Sequence, residues 1–401
     1  MTQTTLPGPM PMATLSDGTP ERIAALQHQL RRLGVDGYLA YATGSGESSG
    51  TVRYLTGWMP STSEVLLYVP ADGVPTLISA DKNRARAFAG VVGNRCRVIK
   101  TGNLITSLAQ LISELPSAAK IGCAGWCDLT VGRQNELTRT LAGHSTIDLE
   151  PVVTALRSRR SDLEVELHRA ATEVADAMVA RAMELAAEPD VTGTDIMAEV
   201  EVTGRRLGAD RAGCWLALGS RPAETYFETF ELAPRLERGD RLQIGTTVLW
   251  GGRFSQVLRI GVLGDPSAEL VEMAEQLIEA QDAALDAMRI GEPVTGIGDA
   301  LEARIDRLCP YPRAQDPFRF QSCHALGASY SEPWSAPFLA ADRDPTSDHL
   351  APLIEPNQTY EIHPNFTSAD LGHVCAGDVA VVTPTGAEWM SHTPRGLLRI
   401  A

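Results

Sequence analysis

The sequence predicts a two-domain protein, with a flexible tail at residues 1–15, an α/β domain at residues 16–150 and an α+β domain at residues 151–401. A length of 401 residues is long for one hydrophobic core and typical of two. Helical patterns alternate with short buried strands in the first half, whereas long helices and paired strands fill the second. This change of pattern sets the predicted boundary near Glu150.

The N-terminal domain is predicted to open with a helix. The segment ERIAALQHQLRRLG places Ile23, Leu26 and Leu30 on one face, and Gly34 ends it. Short apolar segments bounded by Gly, Pro or Asp then predict the strands GYLAYA, EVLLYV and TLISA. A helical pattern recurs from Ser107 to Leu115. Helices alternating with short buried strands indicate an α/β domain.

The C-terminal domain is predicted to open with a capped helix. Ser161 and Glu164 form a capping box, because the Ser161 hydroxyl can accept the Glu164 amide proton while the Glu164 side chain reaches back. Three long helical patterns follow, in VELHRAATEVADAMVARAMELAAE, TDIMAEVEVTGRRLGA and AELVEMAEQLIEAQDAALDAMRIG. Strand patterns lie between and after them, in CWLALG, DRLQIGTTVLW, FSQVLRIGVLG, QTYEIHPNF and DVAVVTP. Helices covering a largely antiparallel sheet indicate an α+β domain.

The composition indicates where the protein resides and which classes of partner it does not bind. A formal net charge of −15 argues against nucleic acid and anionic membranes, since both need a basic surface. Seven scattered cysteines in a chain of this size favour a reducing compartment over a disulfide framework. The N-terminal tail lacks the basic start and apolar run of a secretory signal. We therefore expect a cytoplasmic protein with no nucleic-acid or membrane partner.

Several segments in order resemble the creatinase/aminopeptidase P/prolidase family. They are RYLTGW, which resembles the family's strand-entry motif in the N-terminal domain, then LRSRRSDLEVELHRAA, RGDRLQIG, LDAMRIGEPVTGIGDALEARI and GDVAVVTPTG. The resemblance runs from about residue 20 to residue 399. It implies a creatinase-like N-terminal domain, a C-terminal domain of the pita-bread fold, and a homodimer.

The resemblance also locates the family's metal ligands, which are two Asp, one His and two Glu around two divalent ions. The first Asp position is Gly245, and the second, eleven residues later, is Gln256. The His that opens a His-x-x-Gly motif is His324. The first Glu position is His363, and the last, which precedes an Asp, is Gly377. Only His324 keeps the family's residue type.

This substitution pattern predicts that the protein is not a working metallopeptidase. Two divalent cations carry a charge of about +4, and dehydrating them without anionic ligands is strongly unfavourable. We therefore expect no metal or other cofactor. A single ion on His324, His363 and a third group is the alternative, because imidazoles suit zinc.

Four residues are candidates for catalysis. His324 and His363 both occupy ligand positions, so they should project into one pocket and supply a general base and a general acid. Tyr226 lies where creatinase carries its catalytic histidine, and Glu332 follows the position of the family's second histidine. The alternatives are that the two histidines only fill the vacated space, that Tyr226 closes the pocket mouth, and that Glu332 is structural.

Four more residues are candidates for substrate binding. Gln256 is a neutral replacement for an Asp ligand, and Glu361 alternates with His363 on one strand, so both face one side of the sheet. Arg259 matches the arginine of the family's Thr-Arg pair, which supports the site structurally in relatives, and that structural role is the favoured interpretation beside substrate binding. Trp58 resembles a residue that roofs the partner subunit's site in creatinase-like dimers, and ordinary packing is its alternative.

These residues predict a metal-independent enzyme related in logic to creatinase. The predicted reaction is hydrolysis of a C–N bond in a small molecule. Creatine itself is a poor candidate, because the carboxylates that should hold a guanidinium group are replaced by Leu258 and His363. The first alternative is a non-hydrolytic enzyme of specialised metabolism that uses the same acid/base pair for a cyclisation, elimination or dehydration. The second is a catalytically dead binding protein.

Overall fold

The computed structural model describes residues 7–10, 16–44, 49–59, 63–220, 235–308, 322–330, 352–368 and 370–401. Their contacts divide the chain into two compact units. The N-terminal unit comprises Met10–Ser158 and Ala328–Pro333, and the C-terminal unit comprises Met1–Pro9, Arg159–Gly327 and Trp334–Ala401. The predicted boundary after residue 150 stays a prediction, and the helix Glu150–Ser158 falls in the N-terminal unit in this division.

The N-terminal unit is built on a six-stranded mixed sheet of order β4-β3-β2-β1-β5-β6. Its strands are β1 (Gly37–Ala42), β2 (Val65–Pro70), β3 (Thr76–Ser79), β4 (Arg97–Lys100), β5 (Lys120–Ala124) and β6 (Ser145–Asp148). Its helices are α1 (Thr19–Leu33), α2 (Ser49–Thr56), α3 (Lys82–Val92), α4 (Leu104–Ile112), α5 (Val131–Thr140) and α6 (Glu150–Ser158).

The central strand β1 shows why this sheet is buried on both faces. Tyr38 and Ala40 pack into one hydrophobic cluster, whereas Leu39 and Tyr41 pack into another on the opposite face. A strand buried on both faces reads as a continuous apolar run, which is the pattern of GYLAYA. The strand predicted there matches β1 residue for residue.

The motif Arg53–Trp58 is helical at its start. The resemblance describes it as an entry to a strand, but Arg53 to Thr56 form the last turn of α2, and Gly57 ends that helix at φ 73°. Trp58 then packs edge-on against Phe88, with ring centroids 5.2 Å apart.

The C-terminal unit contains two four-stranded sheets, of order β16-β9-β8-β7 and β10-β11-β14-β15, and the two-stranded ladder β12-β13. Its helices are α7 (Asp162–Ala186), α8 (Gly193–Arg206), α9 (Ala268–Ala287) and α10 (Thr295–Leu308). Its first strands are β7 (Arg211–Gly219), β8 (Arg241–Trp250), β9 (Arg253–Leu263), β10 (Ser322–Ala325) and β11 (Thr359–His363). The remainder are β12 (Asn365–Ser368), β13 (Gly372–Cys375), β14 (Asp378–Thr383), β15 (Gly386–Trp389) and β16 (Leu397–Ile400).

Local sequence determines how this unit begins. Ser161 caps α7, with the capping box to Glu164 formed in both directions, as the sequence predicts. The α7 helix then packs along β8 and β9, which form a long antiparallel hairpin closed at Gly251 and Gly252. Both glycines have positive φ, which suits a tight turn between two strands. In the described part of the chain, no helix combines the length and apolarity needed to cross a bilayer.

Candidate active site

Three titratable side chains converge on the β10-β11 ladder. His324 lies directly opposite Glu361 in the strand register, and His363 follows Glu361 on the same face. The His324 Nε2 atom is 2.8 Å from Glu361 Oε2, and the His363 Nε2 atom is 3.8 Å from the same oxygen. The two imidazole rings are nearly perpendicular, with centroids 5.7 Å apart. We call these three residues the His-Glu-His cluster.

Glu361 is the most unusual member of the cluster. Its side chain is 0% exposed, and neither carboxylate oxygen accepts a hydrogen bond from any residue that the structure describes. The 2.8 Å contact between His324 Nε2 and Glu361 Oε2 lacks the alignment of a hydrogen bond. A buried carboxylate without donors is costly, so Glu361 marks this cluster as more than packing.

Burial governs the protonation of His363. Its pKa is lowered to about 4, chiefly by desolvation and also by the nearby His324, while Glu361 acts in the opposite direction. The ring is therefore neutral at pH 7 and keeps a lone pair. Its Nδ1 atom is 3.5 Å from the Asn365 amide nitrogen, which can donate to it.

His373 extends the polar region beside the cluster. It is buried on β13, and burial lowers its pKa to about 4, with the charges of Arg241 and His363 acting in the same direction. His373 therefore adds a second neutral imidazole to this region, although it matches no family motif and the sequence predicts only a surface or packing role for it.

The remaining ligand positions of the two-ion centre have a different character. Gly245 lies opposite Leu258 in the β8-β9 register, and Leu258 also bridges to Gly377. A Cβ atom added at Gly377 would lie 2.5 Å from Leu258 Cδ1 and 3.1 Å from Glu361 Oε1, and one added at Gly245 would lie 3.2 Å from Leu258 Cγ. Leu258 therefore occupies the space in which two ligand side chains would begin, and the residues present do not fit a two-ion centre.

An apolar cluster surrounds Leu258. It contains Ala217 and Cys375, with Trp215 packed against it. We call these four residues the Leu258 cluster. It follows that an apolar surface has replaced part of an anionic pocket.

Two polar residues near this surface were not predicted from the sequence. Gln243 and Thr247 alternate with Gly245 on β8, so all three share one face. The Gln243 amide nitrogen and the Thr247 hydroxyl are buried and have no hydrogen-bond partner among the described residues. The signal that could have identified them is the two-residue alternation on either side of a ligand position.

The predicted substrate-binding residues occupy varied environments. Gln256 is 1% exposed and lies opposite Thr247, on the same strand face as Leu258. Arg259 makes a two-pronged ion pair with Asp378, at 2.6 and 3.1 Å, and donates to four backbone carbonyls. This geometry matches the structural interpretation of Arg259, because its donors are already used.

Three other predicted site residues remain without a described link to the cluster. Trp58 is buried in the core of the N-terminal unit, and its role as a roof stays a prediction. Tyr226 and Glu332 lie outside the described residues.

The His-Glu-His cluster is also where a metal could be held. The ligand atoms of His324, Glu361 and His363 all lie within 4.8 Å of one another. Only His324 is shared with the family's ligand set, so such a site would differ from the two-ion centre in ligands and in number of ions.

Comparison with known proteins follows the same division of the chain. A model of the metallopeptidase family M24 matches residues 166–384, and a model of the creatinase/prolidase N-terminal domain matches residues 22–159. An uncharacterized hydrolase/peptidase of Sinorhizobium fredii is 24% identical over 396 residues, which cover 94% of this chain and 95% of the relative. The Xaa-Pro dipeptidase of Pyrococcus furiosus is 26% identical over 252 residues, which cover 62% of this chain and 68% of the relative.

Solved structures show the same fold. The recombinant prolidase from Thermococcus sibiricus superposes with a TM-score of 0.76 at 20% identity, covering 96% of this chain and 100% of that structure. The predicted architecture of a creatinase-like N-terminal domain and a pita-bread C-terminal domain is thereby confirmed.

Proposed function

This chain belongs to the metallopeptidase family M24, and from that premise we propose that it hydrolyses a C–N bond in a small non-peptide molecule by histidine acid/base chemistry, without bound metal. The observation that carries the proposal is the His-Glu-His cluster, with its fully buried Glu361, beside ligand positions that Leu258 has filled. The hydrolase class comes from the family. The loss of metal comes from Gly245, Gln256 and Gly377, which supply no anionic ligand.

His363 is the general base in this proposal. Its neutral ring takes a proton from water, and the water oxygen attacks the carbon of the scissile C–N bond. His324 is the general acid, and its ring, whose Nε2 atom lies 2.8 Å from Glu361 Oε2, passes a proton to the leaving nitrogen as that bond breaks. Proton exchange with solvent then restores both rings. Such positioned acid/base groups contribute rate factors of roughly 10² to 10⁴.

The surroundings of the cluster support a small, largely uncharged substrate. The Leu258 cluster offers apolar contact, while Gln243, Thr247 and Gln256 offer neutral hydrogen-bonding groups. Glu361 is fully buried beside His324, and the described residues of the cluster contain no second carboxylate that could hold a strongly cationic substrate. Neutral amides and ureas suit this environment best.

The test is a substrate screen with chelator-treated protein whose metal content has been measured by elemental mass spectrometry. Amides, ureas, amidines and Xaa-Pro dipeptides are incubated with the protein, and products are identified by mass spectrometry. We expect a non-peptide substrate to be cleaved at below about a tenth of an equivalent of metal, an amount too small for metal-assisted turnover by most molecules.

Matched variants decide which residues act. His363→Ala should abolish the reaction, whereas His28→Ala, an exposed change in α1, should leave it intact. Cleavage of Xaa-Pro dipeptides that requires added metal would overturn the proposal. An unchanged rate in His363→Ala would equally rule out the assigned base.

A further inference from the structure

We propose that His324, Glu361 and His363 also form a binding site for a single zinc-class divalent cation, which inhibits the enzyme when it binds. The site itself rests on the geometry of the cluster alone. The inhibitory effect rests on the function proposed above, because only a metal-free acid/base mechanism is blocked by metal on its histidines.

The spacing of the donors suits one ion. Zinc bonds to nitrogen and oxygen ligands are roughly 2.0–2.2 Å long, so the ligand atoms of a tetrahedral site lie roughly 3.4 Å apart. The distances from Glu361 Oε2 to the two imidazole Nε2 atoms are 2.8 and 3.8 Å, on either side of that value. Small side-chain adjustments therefore bring all three donors onto one centre.

The state of Glu361 is the second observation. Its carboxylate is fully buried, and the described residues donate no hydrogen bond to either oxygen. A divalent cation would supply the direct bonds that this carboxylate lacks. His324 Nε2 and Glu361 Oε2 are close but not aligned for a hydrogen bond with each other, which leaves both atoms able to face a shared ion.

The donor chemistry selects the class of ion. Two imidazoles and one carboxylate suit zinc and other first-row transition metals, whereas magnesium and calcium prefer all-oxygen sites. The three protein ligands leave a fourth tetrahedral position for water. Because the Leu258 cluster fills the space beside Gly245 and Gly377, a second ion has no place, and the stoichiometry is one per chain.

Occupancy by zinc would remove the acid/base groups from the reaction. A nitrogen lone pair that binds the metal cannot accept a proton from water, and Glu361 would be withdrawn from His324. Inhibition should therefore be reversible by a chelator.

The experiment is a zinc titration of chelator-treated protein at pH 7, followed by competition with a colorimetric zinc indicator. We expect one equivalent to bind saturably, and magnesium to bind far more weakly. Glu361→Gln and His363→Asn should each weaken zinc binding by at least about tenfold, a conservative figure for loss of a direct ligand. His28→Ala serves as the matched control and should bind as the unaltered protein does.

A spectroscopic readout on the unaltered protein guards against variants that fail to fold. X-ray absorption at the zinc edge should show a first shell of nitrogen and oxygen with the scattering pattern of two imidazoles. A shell without imidazole, absence of saturable binding, or two equivalents per chain would each overturn the site.

Activity separates this inference from the proposed function. Zinc that binds and inhibits supports both. Zinc that binds and activates supports the site but overturns the metal-independent mechanism. Metal-free turnover together with no zinc binding leaves the proposed function standing and overturns this inference.

Discussion

Two buried carboxylates on neighbouring strands of one sheet, Asp378 on β14 and Glu361 on β11, differ in how their charge is satisfied. Asp378 accepts hydrogen bonds from Arg259 at 2.6 and 3.1 Å, from Gln281 at 3.0 Å and from Ser391 at 2.6 Å. Glu361 has only the off-line approach of His324 and the more distant His363 among the described residues. Both side chains are almost completely buried, at 1% and 0% exposure.

This difference distinguishes a carboxylate that stabilises the fold from one that is suited to chemistry. Breaking a buried ion pair whose hydrogen bonds are all made is strongly destabilising. The Arg259–Asp378 pair is of this kind, and we call it a structural lock because it holds β9 against β14. A buried carboxylate with free accepting capacity is unfavourable in the fold and is suited to proton or ligand chemistry. Asp378 therefore belongs to the first class and Glu361 to the second.

The largest effect is expected from breaking the satisfied pair. Arg259→Met removes the guanidinium and leaves Asp378 buried with Gln281 and Ser391 as its remaining side-chain donors among the described residues. We expect the free energy of unfolding to fall by about 3–5 kcal/mol, the usual cost of stranding one partner of a buried pair. Urea unfolding at pH 7 measures it. Adding Asp378→Leu should recover most of the loss, and a single variant as stable as the parent would show that the pair is not a lock.

Glu361→Gln should have the opposite profile. Replacing the charge with a neutral amide removes its desolvation cost, so the free energy of unfolding should be unchanged or higher. Activity on the substrate found in the screen should fall about 100-fold, at the lower end of acid/base contributions. Steady-state kinetics and urea unfolding on the same preparation test both parts. Stability lost in parallel with activity would place Glu361 in the same class as Asp378.

Gly377 tests whether Leu258 really excludes ligand side chains. Gly377→Ala places a methyl group 2.5 Å from Leu258 Cδ1, and overpacking of this kind costs about 1–3 kcal/mol. Gly245→Ala is the matched control and should cost less, because its closest contact is 3.2 Å. A double-mutant cycle of Gly377→Ala with Leu258→Ala should show favourable coupling in unfolding free energy. Additive effects would mean that Leu258 is not the obstacle.

The smallest expected effect is on the stability of the fold at acidic pH. Burial lowers the pKa of His373 to about 4 from an ordinary value of 6.5, so the unfolded chain binds a proton that the fold excludes between those pH values. Stability should therefore be full above pH 6.5 and decline as pH falls toward 4. His373→Gln should flatten this decline by on the order of 1 kcal/mol. Thermal unfolding across pH 4–7 measures the slope, and His392→Gln is an accessible control. Parallel slopes in the two variants would argue against the buried imidazole.

Much of the architecture could be predicted because local rules determine it. The apolar run of β1 and the capping box at Ser161 are contained in a few adjacent residues, and the structure matches both. The helical start of Arg53–Trp58 was missed, because that apolar segment has no length or period that separates a short helix from a strand.

The site was predicted only as far as single-strand patterns reach. Alternation places Glu361 on the same face as His363, but its position opposite His324 depends on the register of β10 and β11. The same limit applies to Leu258, whose contact with Gly245 and Gly377 joins three separate strands. For Tyr226 and Glu332 the sequence prediction stands alone.

The packing of Leu258 against Gly245 and Gly377 also limits which substitutions the chain can accept. A mutation that restored a carboxylate at Gly377 alone would meet Leu258 before it met any metal, so the first step back toward a two-ion centre would weaken the fold. Shortening Leu258 first would open a cavity with no ligand to fill it. Restoring the two-ion centre therefore requires several substitutions together, because each single substitution is destabilising on its own.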